Sequence, residues 1–357
     1  MKTITLNDLG FTSDLKKHQE KNSLESFSVG RVILEHKDRY IVKTATNELE
    51  SELIGNLRFN ALNRSDLPAV GDWVAIAQYD ENKALIHAVY PRKTLLERKA
   101  VGKLNETQII ATNIDFGIIV QSVNRDFSIN RLERYITICN TSNITPIIVL
   151  NKIDLINKNE LSILLNTIKN RIKNVEVYPI SNHTLVGLEK LKSIFLKGKT
   201  YCLLGSSGVG KSTLINTLTE TNLMETGEIS ESIDRGKHVT SHRELIVFNN
   251  GILVDNPGMR EVGMTDNADG IELTFEQILE ISTDCKFSDC NHINEKGCAI
   301  LKALENGDIN EETFANFQKM ERERMHYESS LTEKKQQGKN LAKLIRQNKK
   351  SRNNNKY

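Results

Sequence analysis

Between Thr200 and Thr213 the chain runs from an apolar stretch, Tyr201-Cys-Leu-Leu204, into Gly205-Ser206-Ser207-Gly208-Val209-Gly210-Lys211-Ser212-Thr213, and then into Leu214, Ile215 and Leu218 at helical spacing. No other part of the sequence restricts the fold so strongly. The order strand, glycine loop, helix is that of a P-loop, in which successive backbone N–H groups turn inward on an anion at the positive end of a helix. The pattern G-x-x-x-x-G-K-S assigns Lys211 to the outer phosphates and the Ser212 hydroxyl to Mg²⁺. A chain with this element carries an α/β sheet with the loop at its carboxyl edge.

The rest of the chain divides around that element. At 357 residues it is long enough for two or three domains. Residues 1–24 are polar and without clear period, and are read as a flexible arm. Across 25–96, short β-like runs such as Val29–Leu34, Arg39–Thr44, Glu50–Ile54 and Asp72–Ala77 alternate with turn signals, which suits a small barrel of the OB type. Asn56, Leu57 and Arg58 fall in a loop of that barrel, where a partner could be met. From 97 to 265 strands alternate with helices: Phe116–Gln121, Ile129–Ile138, Ile144–Leu150, Leu161–Ile172, Val175–Ile180, the P-loop strand, 245–248 and Ile252–Asp255. Residues 266–332 turn helical and polar. Beyond Glu333 there is no acid, and the lysines and arginines of 333–357 read either as an arm for a polyanion or as a solvated terminus.

Two further motifs narrow the nucleotide chemistry. Asn151-Lys152-Ile153-Asp154 closes an apolar strand, and a carboxylate at Asp154 accepts both the N1–H and the exocyclic amine of guanine, a pair that adenine lacks. Asn151 is expected to tie this loop to the P-loop, with the Lys152 stem along the base. Ser181-Asn182 occupies the place of the short loop that supports the base, with Ser-Asn where Ser-Ala is more usual. Asp255-Asn-Pro-Gly258 has the form D-x-x-G, its aspartate acting on Mg²⁺ through water and its glycine N–H meeting the γ-phosphate. Since Asn151–Asp154 precedes the P-loop, the order of elements is circularly permuted.

A fourth cluster is of a different kind. Cys285, Cys290, His292 and Cys298, spaced C-x4-C-x-H-x5-C, complete a tetrahedral shell with no open position, which is a structural zinc site. Of five cysteines, the other two, Cys139 and Cys202, lie in apolar contexts and read as core. No apolar run reaches membrane-spanning length and the first residues lack a signal-peptide core, so a cytoplasmic protein without membrane association is expected. Lys+Arg at 48 against Asp+Glu at 46 leaves overall charge uninformative about partners.

The permuted order, the segment Gly236-Lys-His238-Val-Thr240-Ser241, the Asp255-Asn-Pro-Gly258 element and the cysteine–histidine cluster together resemble the RsgA (YjeQ) family, bacterial GTPases of small-ribosomal-subunit maturation. The resemblance covers nearly the whole chain. It implies an N-terminal OB-fold β-barrel, a central circularly permuted α/β P-loop GTPase domain and a C-terminal, mostly helical zinc domain. It implies GTP on Asn151, Lys152, Asp154, Gly205 to Thr213 and Asp255, and zinc on Cys285, Cys290, His292 and Cys298. The implied partner is the small ribosomal subunit and its rRNA, and a monomer is expected. The family's switch segment G-x-H-T-T-T has Val239 and Ser241 in place of its first and last Thr. Thr240 remains for magnesium. Residue 259 is Met, not the Gln that orients water in Ras-like enzymes, which leaves His238 as the nearest candidate to position water, beside Thr240 and Lys211. The competing reading is an RNA-binding assembly factor in which guanine nucleotide is a structural switch with little turnover. An ATPase or kinase is opposed by Asn151–Asp154.

Overall fold

The computed structural model describes residues 4–36, 39–61, 63–99, 107–124, 127–220, 244–248, 251–255 and 268–325. His238, Thr240, Gly258 and the basic tail lie outside them.

Alternating apolar residues produce the five strands of the first domain: β1 (Ser28–His36), β2 (Arg39–Lys43), β3 (Glu48–Leu53), β4 (Trp73–Asp80) and β5 (Lys83–Val89). They are ordered β1-β2-β3-β5-β4, and β4 pairs back onto β1 to close the barrel. β3 and β5 run parallel, and the neighbouring barrel pairs run antiparallel. Closure is possible because β1 is long and shifts register between Val32 and Leu34. Its first half faces β4, and its second half faces β2. The interior holds Val32, Tyr40, Val42, Val74 and Ile86, all at 1% exposure or less.

Two expectations for this region are corrected. Residues 4–24 are not a loose arm. Thr12 caps helix α1 (Ser13–Lys21), Leu9 is fully buried, and Phe11 stands edge-on to Trp73 at 5.0 Å. Apolar side chains scattered without period, here Leu6, Leu9, Phe11 and Leu15, still pack where a neighbouring surface collects them. Asn56, Leu57 and Arg58 lie in a short helix, α2 (Gly55–Asn60), and not in a loop.

A hairpin that periodicity did not reveal, β6 (Leu95–Lys99) with β7 (Thr107–Thr112), leads into the second domain. There β8 (Phe116–Ser122), β9 (Thr145–Asn151), β10 (Glu176–Pro179), β11 (Thr200–Leu204), β12 (Glu244–Phe248) and β13 (Gly251–Asp255) form a sheet in the order β10-β9-β8-β11-β13-β12. Only β12 is antiparallel to its neighbour in the sheet, and its Glu244 pairs with Leu34 of β1, joining sheet to barrel. Both faces are buried, as parallel strands require. Ile119, Ile148, Leu150, Cys202 and Leu204 pack on one side, and Ile118, Val149, Tyr201 and Leu203 on the other. The faces are covered by α3 (Ile129–Thr141), α4 (Lys158–Arg171), α5 (Leu188–Lys192) and α6 (Lys211–Thr219).

The third region is helical: α7 (Ala268–Thr274), α8 (Glu276–Ser282), α9 (Ala299–Asn306) and α10, covering residues 311–325. Ile271, Phe275, Ile278, Ile300, Phe314 and Met320 make its core.

Candidate functional site: a nucleotide loop and a cysteine–histidine cluster

Parallel strands deliver their carboxyl ends to one edge of a sheet, where open α/β folds bind ligands. Here β11 ends at the Gly205–Gly210 loop, β9 at Asn151–Asp154, β10 at Ser181-Asn182 and β13 at Asp255. Four separated stretches of sequence are thereby gathered at one edge.

The loop itself is shaped by glycine. Gly210 has φ +97°, and a β-carbon there would lie 2.3 Å from Asn151 Nδ2. Gly205 has φ +146°, and its β-carbon would lie 2.3 Å from the Val120 carbonyl. Lacking a side chain, Gly210 makes no cap for α6, which leaves the first-turn amides of that helix directed at an incoming anion.

Carbonyls around the loop are held outward by side chains. Lys152 Nζ donates to Gly208 O at 2.8 Å, Asn151 Nδ2 to Val209 O at 2.8 Å and Asn182 Nδ2 to Gly210 O at 2.9 Å. Lys211 Nζ donates to Gly205 O at 2.8 Å and Ser206 O at 2.7 Å. With the carbonyls engaged on the outside, the N–H groups between them are free to face a phosphate. The base loop is thus bonded to the phosphate loop at three consecutive residues.

Asn151 behaves as the sequence implies, and is 1% exposed. Its Oδ1 accepts from the amides of Lys152 and Asn182, fixing the two base loops to each other. Asp154 stays exposed on a short 3₁₀ turn, and its Oδ1 accepts from Ser181 Oγ at 2.5 Å. Ser181 Oγ in turn accepts from the amides of His183 and Thr184, so its proton is directed to the carboxylate. Asn182, the departure from Ser-Ala, supplies a bond that alanine could not. Asp255 is 7% exposed at the end of β13. Ser207, Ser212 and Thr213 lie on the loop and the first turn of α6.

Sequence reasoning missed Arg131 and Tyr135 on α3. Arg131 Nη1 donates to Ser206 Oγ at 3.1 Å, and the Tyr135 hydroxyl also bonds Ser206. Burial raises the Tyr135 phenol above its ordinary pKa and outweighs Ser206 and the nearby Arg131 and Arg134, which pull it down, so it stays protonated. Their spacing of four on a helix places both on one face, but nothing in the sequence says which face meets the loop.

The second cluster also assembles. The Cys285, Cys290, His292 and Cys298 ligand atoms all lie within 4.8 Å of one another. Cys285 Sγ is 3.6 Å from His292 Nδ1 and 3.9 Å from Cys298 Sγ, and His292 Nδ1 is 3.4 Å from Cys298 Sγ. A tetrahedral zinc with its usual bond lengths needs ligand separations of roughly 3.5–3.8 Å, so the donor set fits the ion in chemistry and size. Burial opposes ionisation of Cys285, but amide donors from Ala299 and Ile300 outweigh it and lower its pKa, as a thiolate ligand requires. Glu295, which the sequence did not single out, organises the loop between His292 and Cys298. It accepts from the amides of Ile293, Asn291 and Asn294, and these hold its carboxyl down at about 2.

A closed barrel, a permuted sheet whose guanine-type loop is bonded to a P-loop, and a helical module with a three-cysteine, one-histidine cluster define a circularly permuted GTPase. A family model described as RsgA GTPase matches residues 89–265. Curated relatives named small ribosomal subunit biogenesis GTPase RsgA 1 include one from Listeria innocua, 40% identical over 326 residues, spanning 91% of this chain and 90% of that protein. Another, from Bacteroides thetaiotaomicron, is 34% identical over 348 residues and spans 97% of each. The chain belongs to the RsgA family, GTPases that hydrolyse GTP. Among solved structures, YjeQ from Thermotoga maritima superposes with a TM-score of 0.61 at 26% identity, covering 84% of this chain and 98% of that one. YloQ, described as a circularly permuted GTPase, shares the fold with the same TM-score of 0.61 at 24% identity. A model described as ABC transporter matches 188–350. That stretch contains the phosphate loop, which many nucleotide hydrolases share, but begins after Asn151–Asp154.

Proposed function

We propose that this chain is a GTPase of late small-ribosomal-subunit maturation, which hydrolyses GTP to GDP and phosphate and is stimulated by the subunit. Its curated relatives carry that role in their names. The observation that carries the nucleotide reading is the bonding of Asn151, Lys152 and Asn182 to the carbonyls of Val209, Gly208 and Gly210, which sets base pocket and phosphate loop in one frame before ligand arrives. Preorganisation of this kind lowers the ordering cost of binding. In this reading Asp154 selects guanine, the 205–213 amides and Lys211 hold the phosphates, and Ser181 orients Asp154.

Magnesium would be held by Ser212 and Thr240, with Asp255 acting through water, and would neutralise phosphate charge. One structural zinc fits the Cys285, Cys290, His292 and Cys298 cluster. His238 is assigned to position the attacking water once Thr240 orders its segment. Both residues belong to the segment 236–241, and the role falls to His238 because Met259, after Gly258, stands where Ras-like enzymes carry the glutamine that orients water. The barrel and the zinc region, taken as 25–96 and 266–332 around a catalytic unit at 97–265, are assigned to rRNA contact, with the tail at 333–357 as an added polyanion arm. The protein is taken to work as a cytoplasmic monomer. Hydrolysis of GTP and ATP measured with and without purified small subunits tests the proposal. Subunit-stimulated release of phosphate from GTP but not ATP is expected, whereas tight GTP binding with no turnover in either condition would favour the nucleotide-as-switch reading.

A further inference from the structure

Helix α3 touches the phosphate loop at one end and the C-terminal region along its outer face. At the loop, Arg131 Nη1 donates to Ser206 Oγ at 3.1 Å, and Lys211 Nζ sits 2.7 Å from the carbonyl of the same residue. Two cations therefore flank Ser206. A neutral hydroxyl is a weak partner for a guanidinium compared with a phosphate oxygen, for which a charge-assisted bond is about twice as strong. A triphosphate held by the loop and Lys211 would offer such an oxygen near Ser206.

Along its length α3 is also fastened to the C-terminal helices by polar groups, some buried and some part-buried. Arg134 Nη2 contacts both carboxylate oxygens of Glu323, at 2.6 and 2.8 Å. Glu133, 2% exposed, accepts from Asn316 of α10 and from Arg171 of α4. Thr137 Oγ1 and Asn140 Nδ2 reach Thr274 Oγ1 of α7 at 3.0 and 3.1 Å. The backbones are close as well: a β-carbon on Gly270 would lie 2.0 Å from Thr141 Oγ1. Packed, hydrogen-bonded contacts of this kind move as a unit, not by continuous deformation.

We infer that Arg131 is a sensor of the γ-phosphate: with GTP bound its guanidinium leaves the Ser206 hydroxyl for an outer phosphate oxygen, and α3 carries that change to α7 and α10. GDP offers no oxygen at that position, so the two nucleotides differ in contact energy with α3, which is the condition for any ligand-driven shift. The inference rests on the assignment of Gly205–Thr213 to phosphate. It makes Arg131 a positioning residue for the outer phosphate, and α3 the element through which the zinc-bearing region reports the nucleotide state or influences it in return.

The test uses the full chain as wild type, Arg131→Ala, Arg131→Lys and Arg134→Ala, titrated with GDP and with the β,γ-imido analogue of GTP. Arg131→Ala should weaken the analogue about fivefold or more, the lower range of allosteric couplings, and leave GDP unchanged. Arg131→Lys should keep most of the preference, since the charge remains. Amide hydrogen exchange in 311–325 should differ between analogue and GDP in the wild type, and the difference should vanish in Arg131→Ala and in Arg134→Ala. Equal weakening of both nucleotides in Arg131→Ala, or an exchange difference that survives it, would overturn the sensor. Failure of the wild type to bind either nucleotide would also overturn it, by removing the phosphate-loop assignment beneath it.

Discussion

Ser181 shows how one hydroxyl sets the state of another residue. It accepts two backbone amides and gives its proton to Asp154, so the carboxylate keeps a fixed rotamer while its remaining lone pairs face outward. Ser181→Ala should therefore lower GTP affinity about tenfold, because the carboxylate loses its orienting donor and two amides lose their acceptor. Nucleotide titration with circular dichroism separates this from unfolding. Asp154→Asn should weaken GTP about 10- to 100-fold, the range for hydrogen bonds to a charged group, and improve binding of xanthosine triphosphate, whose extra carbonyl pairs with the amide NH₂. Unchanged preference between the two would remove the guanine assignment. At the other cluster, Glu295→Ala should release zinc about tenfold faster under a chelator, in line with losses seen when groups supporting metal ligands are removed. Asp154, the P-loop and the four residues of the cysteine–histidine cluster were legible in the sequence because the chemistry they suggest fixes residue type at fixed spacing. Ser181→Asp154 was legible only in part, and Glu295 not at all, since a glutamate in a polar loop has no pattern to distinguish it.

Elements were readable where periodicity was strong. β8, β9 and β11 follow their apolar runs because both faces are buried, and α3 and α4 follow their stripes. The hairpin β6–β7 and the helix α2 were not, since pairing partners and short helices are decided by tertiary contact and not by local pattern. The start of β8 illustrates such contact. Asp115 accepts the Thr200 amide at 3.0 Å, Lys93 Nζ at 3.0 Å and Lys199 Nζ at 3.3 Å, tying the beginning of β11 to the beginning of β8. Burial alone would raise the Asp115 pKa, but the Thr200 amide and the two lysines outweigh it and hold the carboxyl below its ordinary 3.8. Ionisation thus favours the folded state: the contribution is complete above that ordinary value and disappears as pH falls through the lower folded one. Asp115→Asn should make urea midpoints less dependent on pH below about 4 than in the wild type, with the variant less stable at neutral pH. Matching pH profiles for the two proteins would show that the clamp adds nothing.

On the scale of the whole molecule, the barrel and the catalytic sheet are joined through β1 and β12, through bonds from Thr112 N to Val70 O and from Asn113 Nδ2 to Gly71 O, and through the buried guanidinium of Arg31. Arg31, 1% exposed, donates Nη1 to Leu9 O at 2.8 Å, Nε to Gly71 O at 3.1 Å and Nη2 to Asn113 O at 3.1 Å, and lies 5.6 Å from the Trp73 ring centroid. One residue of the barrel thereby holds the N-terminal segment, its own β4 turn and the entrance to the sheet. Burial lowers its pKa to about 10, which still leaves it charged at neutral pH, as three carbonyl acceptors require. Arg31→Met keeps much of the volume but removes the guanidinium donor from Leu9 O and Asn113 O, while Gly71 O keeps Asn113 Nδ2, at a cost of about 1–3 kcal/mol for each carbonyl left unpaired that water cannot reach. The cost should fall on the joint more than on either domain, because the barrel keeps its own closed core and the sheet keeps both of its faces. The variant is therefore expected to unfold in two separable urea transitions. Trp73 fluorescence, which reports the barrel, should change at a lower denaturant concentration than nucleotide-protected unfolding of the sheet, which GTP or GDP stabilises by mass action. Coincident transitions for both probes, shifted together, would mean that the other contacts between barrel and sheet suffice to couple the domains and that Arg31 only adds stability.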